Sequence, residues 1–125
     1  MAIDLNKTMR LAEIDLANKV NSIGTRLFNG TIDANNNATV SDLDNYVLFC
    51  VYLQGENVPI FVFSPPGSTT FRGSGNFITN TPRIYIYSVA LTRSGNTLTY
   101  SYAAIYRIDN QATTQKAISQ IYGIV

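Results

Sequence analysis

The hydrophobic pattern divides the chain in two. Leu5, Met9, Ala12, Leu16, Val20, Ile23 and Leu27 follow one another at spacings of 4, 3, 4, 4, 3 and 4. At about 100° per residue they fall on one narrow stripe of a helix. Asp4 or Asn6 caps its start, and Gly24 stands where a left-handed C-terminal cap is expected. Lys7, Arg10, Glu13, Asp15 and Lys19 take the polar side, while Ile14 points off the stripe with Ile3 and partly Leu11. The pattern fits a helix packed on a β domain. It equally fits a short coiled-coil seam, which needs the same spacings. Roughly two or three heptads are marginal alone, so that seam would lean on an oligomeric β domain.

From Arg26 onward the period becomes two, with frequent turn signals. Strands are expected over residues 27–32, 38–41, 46–53, 58–63, 83–91, 97–108 and 117–124, with shorter pieces around a Gly73-Ser74-Gly75 kink. The run YVLFCVYL at 46–53 is apolar on both faces, which predicts a central strand buried on both sides. Asn35, Asn36 and Asn37 form one turn, SPPGS at 64–68 is a break, and 109–114 is a loop. Arg93-Ser94-Gly95-Asn96 between two long alternating runs is the clearest hairpin signal. The expected fold is mainly β: an antiparallel sandwich or jelly-roll of about eight strands behind one N-terminal α-helix. The helix would occupy residues 1–25 and the β domain 26–125.

Composition narrows the chemistry. The 125 residues carry 9 basic and 8 acidic side chains, and only 14% are charged, against about 25% in an average domain. Polarity comes instead from 13 Asn, 13 Thr and 9 Ser. With a net charge of +1 and no basic run, no nucleic-acid partner is expected. One Cys and no His exclude an internal disulfide and a zinc site, and remove the commonest general base. No run of about 18 apolar residues predicts a membrane-spanning helix. Neither an enzyme nor a cofactor is expected.

The individual motifs read mostly as structure. Asp42 and Asp44 read as turn formers, because calcium takes about six or more oxygens. Cys50, within the most apolar run, reads as a small hydrophobe. Arg72 to Asn76 is rich in glycine, but no helix follows to offer a phosphate its dipole. Alternation in the hairpin assigns one face to Tyr85, Tyr87, Val89 and Leu91 with Leu98, Tyr100, Tyr102 and Tyr106. The other face receives Ile84, Ile86, Ser88 and Ala90 with Thr97, Thr99, Ser101, Ala103 and Ile105. The tyrosine face reads as core, as a subunit interface or as a platform on which sugars stack.

The two ends of the chain carry a resemblance. Ala12-Glu13-Ile14-Asp15-Leu16-Ala17-Asn18-Lys19-Val20 with Gly24-Thr25 opens it, and Ile118-Ser119-Gln120-Ile121-Tyr122-Gly123-Ile124 closes it. Together with Asp42-Leu43-Asp44-Asn45-Tyr46, these resemble small virion structural proteins of tailed bacteriophages. Gln120 stands where that group usually has a basic residue. The resemblance implies a homo-oligomer, with a trimer foremost, held to capsid or tail by its N-terminal segment. It implies a virion protein assembled in the host cytoplasm. The stripe Leu5, Met9, Ala12, Leu16, Val20 and Ile23 would oligomerise or dock. Tyr85, Tyr87, Tyr100, Tyr102 and Tyr106 would form an interface or meet a bacterial surface glycan. A fibre or fibre-tip subunit is the leading expectation. A capsid decoration protein and a small carbohydrate-binding module are the alternatives.

Overall fold

The structure, a computed structural model, describes residues 24–79 and 83–124. The expected helix lies outside these residues, apart from its last turn. There the chain is already strand, and Gly24 pairs with Ile124 instead of capping a helix. Nine strands follow: β1 (Gly24–Ile32), β2 (Ala38–Thr39), β3 (Leu48–Leu53), β4 (Ile60–Phe63), β5 (Thr70–Ile78), β6 (Ile84–Ser94), β7 (Thr97–Arg107), β8 (Ala112–Gln115) and β9 (Ile118–Ile124).

All pairings are antiparallel, in the order β1-β9-β3-β4-β5-β6-β7-β2, with β8 beside β7. This is one sheet curled into a half-barrel, not the two packed sheets of a sandwich. The expected mainly β, antiparallel class holds; the two-layer architecture does not. A single sheet suffices because the segment after β1 crosses from one edge of the sheet to the other. It buries Ala38, Val40 and Leu43 in the core on the way. The Val40 N–H donates to the Asn96 carbonyl at 2.7 Å, which fixes the crossing to the β6–β7 turn.

Curling needs a tight bend, and glycine supplies it. The β4–β5 ladder holds two residue pairs. A Cβ on Gly73 would lie 2.1 Å from the Phe61 carbonyl oxygen, so only glycine lets these backbones approach. The kink expected at Gly73 therefore bends the sheet without dividing β5. At the hairpin, Ser94 pairs with Thr97 and Gly95 has φ +59, as a two-residue type II′ turn asks of its first central residue.

The core fills the concave side. Phe49, Val51, Leu53, Ile60, Val62, Phe71, Leu91, Leu98, Ile118 and Ile121 are almost wholly buried. Each contributes about 1.5–3 kcal/mol by leaving water. The Phe49 and Phe71 rings meet at 5.0 Å with a 54° tilt. One expected loop is partly strand: β8 pairs along β7 from Arg107↔Ala112 to Ala104↔Gln115.

The hairpin faces also differ from simple alternation. A bulge between Ala90 and Leu91 sets Ala90 opposite Tyr102 but Leu91 opposite Tyr100. The extra residue reverses every later side chain of β7. Ala103 and Ile105 turn inward and are buried, while Tyr102 and Tyr106 turn outward. Tyr100 stays inside and stitches the bulge. Its hydroxyl accepts from the Ala103 N–H at 3.0 Å and has the carbonyls of Ala103 and Lys116 within 3.2 and 3.1 Å for its one proton.

Candidate functional sites

The first site is the convex face of β9, β3 and β4. Strand β3 turns Phe49, Val51 and Leu53 into the core and Leu48, Cys50 and Tyr52 outward. Register sets Ile124, Leu48 and Phe63 in one row, and Tyr122, Cys50 and Phe61 in the next. The expectation of burial on both sides of β3 is therefore half met: the core covers one side only. Phe61 and Phe63 remain 54% and 69% exposed. A shallow groove of about 510 Å³ lies here, lined by Gly24, Cys50, Tyr52, Pro59, Phe61, Gln120, Tyr122 and Ile124.

Cys50 in this groove is nearly buried, and desolvation pushes its thiol above the ordinary value. That disfavours the thiolate and with it nucleophilic chemistry. The Tyr52 and Tyr122 rings meet edge to face at 5.8 Å. The groove is thus an apolar and aromatic surface.

The second site is one open mouth of the half-barrel. Tyr85 and Tyr87 of β6, Phe77 of β5 and Thr79 just after it, Ile105 of β7, Thr114 of β8, Lys116 and Glu56 line a cleft of about 370 Å³. Glu56 arrives on the turn after β3, and Lys116 on the short link between β8 and β9. The Tyr87 hydroxyl donates to Glu56 Oε2 at 3.1 Å, and Lys116 Nζ lies 3.6 Å from Glu56 Oε1. Burial first, and the Glu56 carboxylate second, push the Tyr87 hydroxyl up to about 12. It stays a hydrogen-bond donor at neutral pH.

Of the eight residues that line this cleft, the sequence points to two. Tyr85 and Tyr87 are brought together as expected, whereas Tyr100 is committed to the bulge and Tyr102 and Tyr106 lie on the other side of the sheet. Glu56, Phe77, Thr79, Thr114 and Lys116 are residues that sequence reasoning misses, and Ile105, expected on the opposite face, is brought in by the bulge. The stripe Leu5, Met9, Ala12, Leu16, Val20 and Ile23 lies outside the described residues.

The remaining candidates are structural. Asp42 adopts φ 67 ahead of a short 3-10 turn, Leu43–Asn45, and Asp44 pairs with Arg93. No cluster of three or more His, Cys, Asp or Glu stands ready for a metal among the described residues. Ser64 of the SPPGS break is buried and bonded: its hydroxyl donates to the Thr70 carbonyl at 2.7 Å. No protein-family model, curated protein or solved structure matches the chain.

Proposed function

We propose that the protein is a non-enzymatic structural subunit of a tailed-phage virion, a fibre or fibre-tip component that assembles with copies of itself and serves attachment to the host surface. One observation carries the assembly half of this reading. Strand β3 is apolar on both sides, and the fold covers only one of them. An exposed apolar face of this kind marks an interaction surface.

A second copy is the occupant that fits best. The outer rows of β9, β3 and β4 hold Ile124, Leu48, Phe63, Tyr122, Cys50 and Phe61, with no charge among them. A surface of this kind is complementary to itself and asks for no opposite charge on a partner. On β1 the Ile124 row continues to Gly24 and the Tyr122 row to Arg26, so one charge borders the uncharged patch on that side; among the described residues β1 is the edge of the sheet. The resemblance of the chain ends supports the virion assignment.

Light scattering behind size-exclusion chromatography tests the reading. The unaltered chain should elute as an oligomer at micromolar concentration. Replacing Phe61 and Phe63 together by Asp should lower the mass to that of a monomer while the β circular-dichroism spectrum is kept. Met9→Asp with Leu16→Asp should weaken the same oligomer. A monomeric parent, or a mass indifferent to Phe61 and Phe63, would overturn the assembly role.

A further inference from the structure

We infer that the open mouth formed by Phe77, Tyr85, Tyr87, Glu56, Thr114 and Lys116 is a carbohydrate site that holds one terminal sugar of a neutral glycan. The inference rests on the attachment half of the proposed function and gives it a ligand class. It uses a different surface from the assembly face.

A sugar ring presents an apolar face of C–H groups and a rim of hydroxyls that both donate and accept. The cleft offers a counterpart to each. Phe77 is 45% exposed and stands at the rim as a stacking surface, with the half-buried Tyr85 opposite it across the β5–β6 pair Phe77↔Tyr85. Ile105 supplies the apolar floor.

The polar groups are placed but not used up. An ionised carboxylate accepts about four hydrogen bonds, and Glu56 takes one from Tyr87. Lys116 stands 3.6 Å away, beyond a normal hydrogen bond, and keeps its three donors free to turn toward a ligand. Both side chains keep partial contact with solvent, at 25% for Glu56 and 30% for Lys116. Thr114 adds an exposed hydroxyl.

Charge selects against other ligands. Glu56 and Lys116 balance each other, so a phosphate or nucleic-acid strand gains nothing here. An apolar ligand would strand the carboxylate and the ammonium without water. A cleft of about 370 Å³ lies at the small end of the usual range for ligand pockets, about 300–1,000 Å³, which suits a single ring better than an extended chain.

The test is a ¹⁵N-resolved NMR titration of the full chain with millimolar galactose, mannose, rhamnose and N-acetylglucosamine, beside a bacterial glycan array. At least one sugar should shift the backbone signals of Phe77, Tyr85, Thr114 and Lys116. Phe77→Ala, at an exposed position, should weaken that binding about tenfold through lost stacking. Glu56→Gln should weaken it by a similar factor, since the amide trades acceptors for donors. Silence across the sugars and the array would overturn the inference, as would shifts confined to the convex face or binding indifferent to Phe77→Ala. Running the titration on the Phe61→Asp, Phe63→Asp variant separates the two proposals. Sugar binding by that monomer leaves the cleft standing without the interface, and an oligomer blind to sugars leaves the interface standing without the cleft.

Discussion

Strand β6 ends in two different mouths of the half-barrel. At one end its inward side chain is Arg93; at the other it is Tyr87, followed outward by Tyr85. Both ends place a charge near the core, but they treat it in opposite ways. The Arg93 side chain has no exposure. Its Nη1 donates to the Ser64 carbonyl at 2.6 Å, the Ser64 hydroxyl at 3.1 Å and the Pro65 carbonyl at 3.3 Å. Nε donates to the Gly95 carbonyl at 3.0 Å, and Nη2 to Asp44 Oδ1 at 2.7 Å. The SPPGS segment, the hairpin turn and the 3-10 turn are thereby pinned to one guanidinium. At the other mouth Glu56 and Lys116 stay part-exposed with bonding capacity to spare. A charge whose partners are all supplied by the fold closes the barrel; a charge left partly unsatisfied at a wet, aromatic rim is available to a ligand.

The sharpest way to break this contrast is Arg93→Met. The side chain keeps an apolar stem but abandons the buried carbonyls of Ser64 and Pro65. The expected loss is about 3–5 kcal/mol, read as a fall in the urea midpoint. A loss under about 1 kcal/mol would mean that Arg93 merely fills space, and the closed mouth would need another explanation.

Next comes Tyr100→Phe, which tests how the open mouth acquires its floor. The Tyr100 hydroxyl satisfies the Ala103 N–H inside the bulge that turns Ile105 inward. Without it a buried donor is stranded, and stability should drop by about 1–3 kcal/mol. Amide exchange at Ala103 should accelerate more than exchange in β5. Unchanged exchange would show that the bulge holds without the hydroxyl.

That bulge also marks where sequence reading stops. The strands are legible because Phe49, Val51 and Leu53, or Val89 and Leu91, alternate with other residues as a sheet demands. The Gly95-Asn96 turn is legible because few residues accept φ above zero. A bulge changes no residue type, so the sequence carries no trace that Tyr102 and Tyr106 leave the inner face. Strand β8 is missed because Ala112–Gln115 is exposed throughout and shows no apolar alternation. The two-sided apolar pattern of β3 is visible, but whether a second layer of the chain or a partner covers the outer side depends on topology. In the cleft, Tyr85 and Tyr87 stand out within one strand, whereas Glu56 and Lys116 are far apart in sequence and meet only once β3, β4 and β9 have paired.

Tyr87→Phe has a smaller effect and separates the mouths by pH. The folded chain holds this hydroxyl proton more tightly than the unfolded chain does, up to about 12 against an ordinary 10.0. The resulting stability is complete below the ordinary value and is lost as pH rises through about 12. The parent should therefore lose urea resistance across that alkaline window by more than Tyr87→Phe does. At neutral pH the variant should cost about 1 kcal/mol, the worth of one hydrogen bond. Parallel alkaline profiles would remove Tyr87 from the account of the open mouth.

The finest test lies within the closed mouth itself. Arg93 and Asp44 form one ion pair, yet the Arg93 side chain is fully buried and that of Asp44 is 59% exposed. If the pair itself closed the mouth, removing either partner would cost the same. If the carbonyl cage does so, only the buried partner matters. Asp44→Asn keeps an oxygen facing Nη2 and loses a charge that water already screens, so its cost should stay below about 1 kcal/mol and shrink in high salt. Equal losses for Arg93→Met and Asp44→Asn would shift the weight from the cage to the charge pair. The closed mouth would then be held, like the open one, by an interaction that solvent can reach.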